Sequence, residues 1–467
     1  MFSMKRLVLF LCFFVAFSQY GLPARSGTVY VSSSCGIHES DGLDPDHPTS
    51  NLSGALKNAS VVLLKAGDVF YHGNLQAYDV TVSRYGEGVN PLICGYKRIA
   101  GAEWYPVREN VWAIDLLDDG FSGYVTAGPS ISNNICAIHD YNADLVHGRK
   151  VWKEEELTRD WDFWQTEDLT GKNPASYNML YLYLTSDPND SGLELSVYDT
   201  ALSTRNATVD GVNFVGFGFG ISAWTNTKIR NCRIDVIGGR IYQEGDTYNC
   251  MGNGIEFFVS TDISDCVVED CYVSRCYDCG ITIQGSRGGR ATPRNIIIQN
   301  NLIANCCQGW EDFLRNDPDV VFDNCVFCGN TVLHSGNTSG FGYNDSRFKY
   351  CHVLGNNVSG DRGMQILDNV FCGGNFYCSG SYNDAYKSNI WSGNECFLSS
   401  GDFVLGEYFG RKDVIRMNWS RLFSSGELRL YRELTGDSST VFHVVSRRRI
   451  DNKASRLMDE FLQTHSY

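Results

Sequence analysis

Between residues 220 and 367 the chain returns to one five-residue pattern: a glycine, a large apolar residue, two further positions, and a fifth that is often aromatic or amide. It reads GISAW at 220–224, GIEFF at 254–258, GITIQ at 280–284, GWEDF at 309–313, GFGYN at 340–344 and GMQIL at 363–367. The leading glycines are 34, 26, 29, 31 and 23 residues apart. A second pattern accompanies it, an apolar residue, an Asn-rich turn and another apolar residue: IRNCRI at 229–234, VEDCYV at 268–273, IQNNLI at 298–303, FCGNTV at 327–332 and LGNNVS at 354–359. Two short β-type runs per period, punctuated by Asn and Gly, predict one coil of a β-solenoid. A single coil cannot bury its inner face, whereas stacked coils bury it continuously and let side-chain amides ladder from one to the next. Leucine-rich repeats would need a leucine period, and propellers four strands per blade at a longer period.

The N-terminal stretch carries related signals: YVSSS at 30–34, DGLDPDHP at 41–48, VVLLKAGDVF at 61–70, VTVSRYGEG at 80–88 and PLICG at 91–95. With these and the repeat, the chain resembles the exported right-handed parallel β-helix proteins of the pectate-lyase-like superfamily, the pectin-lyase fold, over roughly residues 27–400. The resemblance implies an all-β chain, a single-stranded right-handed parallel β-helix with an N-terminal entry region and a C-terminal cap. The expected division is a signal peptide at 1–18, the entry region at 19–104, an insertion rich in Trp and acidic residues at 105–200, coils at 201–400 and a cap at 401–467. The cap is expected to be strand-like at first, basic at Arg447, Arg448 and Arg449, and helical through 453–462.

Composition changes this picture little. Met1 to Arg6 followed by the uncharged run Leu7–Phe17 reads as a basic n-region and an apolar h-region, with Ala16-Phe17-Ser18 suited to cleavage before Gln19. That run is short of the roughly 20 residues a bilayer span needs, so no membrane insertion is expected after signal removal, and the protein is expected to be secreted, periplasmic or cell-surface. The net charge of −15 argues against nucleic acid or anionic lipid as a general partner. An acidic polysaccharide would need a local basic strip or bound cations. Of the 18 cysteines, Cys276 with Cys279 and Cys325 with Cys328 have zinc-like spacing, yet they fall in expected strands, where cysteine serves as a small buried apolar residue. The acidic group Asp41, Asp44 and Asp46 lacks the spacing of a calcium loop and reads as a turn. His38, His139 and His352 have no partner that the sequence can place. Eight Asn-x-Ser/Thr sequons, Asn51, Asn206 and Asn337 among them, matter in a eukaryotic source. No nucleotide-binding glycine loop, Ser-His-Asp order or HExxH segment is present.

Candidate chemistry comes from aligning the repeat. Side chains alternate faces along a strand, and equivalent positions of stacked coils lie about 4.7–4.9 Å apart. The second position, Ile221, Ile255, Ile281, Trp310, Phe341 and Met364, is expected to form one buried ladder in one sheet. The third then faces out, with Ser222, Glu256, Thr282, Glu311, Gly342 and Gln365, and so does the fifth, with Trp224, Phe258, Gln284, Phe313, Asn344 and Leu367. Glu256 and Glu311, one coil between them, fall about 10 Å apart at the backbone, which lets their carboxyl groups approach the roughly 6.5–9.5 Å used by inverting glycosidases. Trp224, Phe258 and Phe313 form an aromatic line beside them, with Thr282 and Gln284 as further substrate contacts. Arg287, Arg315 and Arg347 follow their repeat glycines by six or seven residues and could grip uronate carboxylates or sulfates. Asp312 is an added catalytic candidate, although strict alternation buries it unless the strand bulges there.

Three functions remain open on this reading. The first is a glycoside hydrolase acting on a polysaccharide or oligosaccharide, with Glu256 and Glu311 as acid and base and no cofactor. The second is a polysaccharide lyase in which carboxylates hold calcium against a uronate and one of the arginines takes the proton, a use of basic residues that the resemblance implies. The third is a non-catalytic glycan-binding or adhesion protein that uses the same aromatic strip.

Overall fold

The structure, a computed structural model, describes residues 27–97, 103–116, 138–140, 148–151, 154–165, 179–244, 247–285, 291–314, 321–335, 363–374, 376–378, 389–399, 403–405, 415–416, 426–465 and 467. Three long sheets run along it. The first has ten strands from Thr28–Val31 to Ile390–Ser392, and the second ten from Val69–Tyr71 to Val441–Val444. The third has six: Leu75–Tyr78, Thr200–Arg205, Phe219–Ala223, Ile255–Val259, Cys279–Gly285 and Gln308–Leu314. Neighbouring strands in all three are parallel. The chain visits third, first and second sheet in turn and begins again one rung further on, for example 200–205, 207–210, 213–217 and 219–223. This is a right-handed parallel β-helix.

Corner residues explain why the chain turns where it does. Between first and second sheet stand Gly211, Asn231, Asp270, Asn300, Gly329, Asp368 and Gly393, all with φ between 50° and 70°. Gly, Asn and Asp tolerate that left-handed conformation best, which accounts for the Asn-rich turns of the second sequence pattern. The next residue points inward: Cys232, Cys271, Asn301, Asn330, Asn369 and Asn394 are each at most 1% exposed. From Asn301 onward they form an amide ladder. Asn301 N and Nδ2 both donate to Asn330 Oδ1 at 2.9 Å, Asn330 does the same to Asn369, and Asn369 to Asn394. Thr440 Oγ1 ends the series by accepting from Asn394.

The inner ladder of the third sheet is as the repeat predicts for four of its members. Ile221, Ile255, Ile281 and Trp310 are in register, and none is more than 1% exposed. Each such fully buried side chain contributes about 1.5–3 kcal/mol. The repeat glycines are required by space. A Cβ on Gly220 would lie 2.0 Å from the Gly254 carbonyl oxygen, and one on Gly254 2.5 Å from that of Gly280. Phe341 and the 354–359 segment lie outside the described residues. The sixth repeat departs from expectation. Met364 is buried, but Gln365–Leu367 pairs with Val326–Cys328 in the first sheet, so GMQIL does not stack on the other four. Asp368 and Asn369 are the reason, since they supply the left-handed corner and the inward amide that follow a first-sheet strand.

Between Tyr96–Lys97 and Leu193–Ser196 the chain leaves the coil and forms largely antiparallel strands with a separate core of Ile114, Leu116, Phe163, Leu180 and Leu182. At the far end, Tyr431 of the Gly426–Thr435 helix enters the main core, and Val441–Val444 extends the second sheet. The Arg447–Thr464 helix then lies against the outer face of that sheet, with Ile450 and Ala454 over Leu302, Ala304, Leu333 and Cys372. Cys276, Cys279 and Cys325 are buried thiols, as the strand reading of their spacing expects, whereas Cys328, at the end of its strand, is only half-buried. Asp41 and Asp44 accept from the Leu43 and Asp46 backbone N–H groups, which is turn geometry.

Candidate functional site

The third sheet carries the candidate site because its strands place alternate side chains outside the coil. Register is continuous: Ser203 pairs with Ser222, Ser222 with Glu256, Glu256 with Thr282 and Thr282 with Glu311. The structure thus brings Glu256 and Glu311 into the outward column expected of them, two rungs apart, or about 10 Å along the backbone. A parallel column holds Phe258, Gln284 and Phe313. Trp224 directly follows the Phe219–Ala223 strand, and its backbone N–H donates to the Thr204 carbonyl of the preceding rung. Trp224 and Phe258 are both half-buried, so each offers part of a ring to the surface.

The two glutamates differ in environment. Glu256 is half-buried, and Asn253 Nδ2 donates to its Oε2 at 3.0 Å. Burial pushes its carboxyl above the ordinary range, opposed by hydrogen bonds from Asn253 and Gln284. Glu311 is 8% exposed and accepts at 3.0 Å from Thr282 Oγ1. One carboxyl is shifted toward higher pKa by burial, and the other sits on the same column with a donor fixing one of its oxygens. That is the division of labour an acid and a base require.

Three expected roles change. Thr282 is fully buried and its hydroxyl is committed to Glu311, so it positions the carboxylate rather than meeting a ligand. Gln284 is half-buried and hydrogen-bonds Glu256, so it too orients a carboxyl. Asp312 is fully buried and in register with Ile283 on the inward column that also holds Phe257. No bulge turns this carboxylate outward, so Asp312 stands apart from the outward row of Glu256 and Glu311. Arg287, Arg315 and Arg347 lie outside the described residues, and so does the side chain of Phe313.

Asn253 went unnoticed in the sequence. It immediately precedes a repeat glycine, and its side chain bridges two rungs by accepting from Cys279 N–H while donating to Glu256. The same strip also continues toward the N-terminus, where Tyr78 and Arg205 are in register and the guanidinium lies 5.0 Å from the ring centroid. The strands that carry them lack the leading glycine, which is the signal the alignment relied on. Among the described residues no group of three or more His, Cys, Asp or Glu side chains is arranged to hold a metal ion.

No family model matches the sequence, and no curated protein matches it significantly. Among solved structures, the chain is similar to one named glycoside hydrolase, at 10% identity over 92% of this chain and 98% of that one, with a TM-score of 0.45. It is similar also to XylC with xylose, at 11% identity over 82% and 70% with a TM-score of 0.40. A third likeness is to pectate lyase Pel9A, at 10% identity over 82% and 76% with a TM-score of 0.34. These likenesses concern the fold alone. By its own sheets and corners the chain is a right-handed parallel β-helix, the fold of the pectate-lyase-like proteins.

Proposed function

We propose that this is an exported glycoside hydrolase that cleaves a polysaccharide or oligosaccharide along the outer face of its third sheet. The observation that carries the reading is the Glu256–Glu311 column, two carboxyl groups on one outward row with unlike environments. In this mechanism Glu256, whose pKa burial raises, donates its proton to the glycosidic oxygen as the bond to the leaving group breaks. Glu311, held through Thr282, takes a proton from the water that attacks the anomeric carbon from the opposite face. The roughly 10 Å backbone separation leaves room for that water and favours inversion of configuration. Half-buried Trp224 and Phe258 would stack sugar rings beside the cleaved bond. No cofactor is needed for this chemistry.

The experiment is a glycan panel scored for new reducing ends and for ultraviolet absorption by unsaturated products. New reducing ends without absorption are expected. Glu256→Gln and Glu311→Gln should each lower kcat by about 10²-fold or more with folding unchanged, the usual size of a general acid–base contribution. Absorbing products would replace this reading with lyase chemistry. Glycan binding without turnover would replace it with a binding role.

A further inference from the structure

Far from this strip in sequence, at the first coil, Cys35 is an exposed thiol held against an amine. Lys65, the last residue of the Val61–Lys65 strand, places its Nζ 3.2 Å from the Cys35 sulfur. The loop that presents the thiol is fixed by one carboxylate. Asp68 accepts from Ser32 Oγ at 2.6 Å, Ser34 Oγ at 2.7 Å, Ser33 N at 2.8 Å and Ser34 N at 3.2 Å. Ser32 Oγ in turn accepts from the Cys35 N–H at 3.1 Å and lies 3.2 Å from its sulfur. Ser32 and Lys65 hold the thiol below its ordinary range, which raises the share of nucleophilic thiolate at an accessible position. The other well-packed thiols of the coil are buried, and burial pushes those of Cys94, Cys266 and Cys325 upward. Among the free cysteines of the described residues, Cys35 is the exposed one.

An accessible thiolate reacts first with hydroperoxides, and its sulfenic acid is then captured by the nearest nucleophile or oxidised further. Here the Lys65 amine, on a different segment from the thiol, lies 3.2 Å from the sulfur and is a stronger nucleophile than the equally near Ser32 hydroxyl. We propose that Cys35 and Lys65 form a reversible sulfur–nitrogen crosslink when hydrogen peroxide oxidises the thiol. The thiolate attacks one peroxide oxygen, the O–O bond breaks, and the departing hydroxide is protonated to water. The Lys65 nitrogen, having released its protons, then attacks the sulfur, the S–N bond forms, and the sulfenic oxygen leaves as the second water. Cys35 loses two electrons and one peroxide gains them; thiolate, ammonium and peroxide give the sulfenamide and two waters. The link ties the 32–36 loop to the first sheet, and a thiol reductant restores both side chains.

The test treats the full chain with hydrogen peroxide and maps its peptides by mass spectrometry. The expected product joins the peptides containing Cys35 and Lys65, with a combined mass lower by two hydrogens, and is cleaved by dithiothreitol. Lys65→Arg keeps a cation beside the sulfur without a nucleophilic amine, so in that variant Cys35 should proceed to sulfinic acid several-fold faster than in the wild type. If the wild type yields sulfinic Cys35 at the rate of Lys65→Arg with no joined peptide, the proposal is wrong. A joined peptide that retains an added oxygen, or one in which another lysine is attached, also overturns it.

Discussion

Replacing Asn330 by alanine tests the amide ladder at its centre. Its Oδ1 accepts from both Asn301 N and Asn301 Nδ2 at 2.9 Å, and its Nδ2 donates to the Ile298 carbonyl at 2.9 Å and to Asn369 Oδ1 at 3.2 Å. Asn369 keeps the Asn330 N–H as a donor, so alanine leaves two donors on Asn301 and the Ile298 carbonyl to make other arrangements. All are sealed from water, and a buried group left unsatisfied costs about 1–3 kcal/mol. Since Asn301 Nδ2 retains its bond to the Val268 carbonyl at 3.0 Å, the expected loss is about 3–5 kcal/mol rather than the full sum. Asn330→Thr should cost roughly half as much, because a hydroxyl can still accept, as Thr440 does at the ladder's end. Urea unfolding at unchanged m measures the loss, and hydrogen exchange at Asn301 and its neighbours locates it, since a stacked array opens near the damaged coil first. An Asn330→Ala loss below ~1 kcal/mol, or equal losses for both variants, would refute the ladder as a stabilising element.

Two further outcomes concern charge. As general acid Glu256 works protonated, so kcat should fall as pH rises through its raised pKa, and Glu256→Gln should abolish that limb. Its folded pKa exceeds the unfolded one, so the same ionisation lowers stability as pH rises across that window, and the Gln variant should lack this slope in pH-dependent unfolding. Asp235, fully buried on the outer face of the second sheet, accepts from Arg275 Nε at 2.7 Å, Arg233 Nη2 at 2.6 Å and Ser274 Oγ at 2.6 Å. Burial raises its pKa, but these partners, Arg275 foremost, hold it well below the carboxylate range. Its contribution is present above the unfolded pKa of about 3.9 and lost as pH falls below it. Asp235→Asn should cost about 3–5 kcal/mol at neutral pH and flatten that acid slope in thermal melts; a variant as stable as the wild type would overturn this.

The parts of the fold legible in the sequence are those where one residue type meets one geometric demand. Gly254 is read because no side chain fits against the Gly280 carbonyl, and Asn300 because its corner needs a left-handed backbone. Glu256 and Glu311 follow from alternation once the glycines fix the register. What alternation cannot convey is which hydrogen bonds an outward side chain makes. Thr282 and Gln284 stand on the expected columns, but their commitment to the glutamates depends on side-chain reach between rungs. Asp312 shows the converse. Its inward position followed from the pattern, whereas its candidacy for catalysis rested on residue type alone and failed when the strand proved regular.

The misplaced sixth repeat shows what a glycine-led pattern lacks. GMQIL has the same spacing of glycine and apolar residues as GITIQ, and both bury the residue after the glycine. A column position says how a strand faces, and every sheet of a coil has an inner face, so the pattern is degenerate among the three. The corner that follows breaks the degeneracy. Third-sheet strands at Phe219–Ala223 and Ile255–Val259 run on to surface residues, Asn226 and Ser260, before the next strand begins, whereas Gln365–Leu367 meets Asp368 and Asn369 at once. A left-handed residue followed by an inward amide is the passage from first to second sheet at Asn300-Asn301 and Gly329-Asn330 as well. Assigning coils by their corners rather than their strands therefore places Ile366 above Phe327 and removes the error.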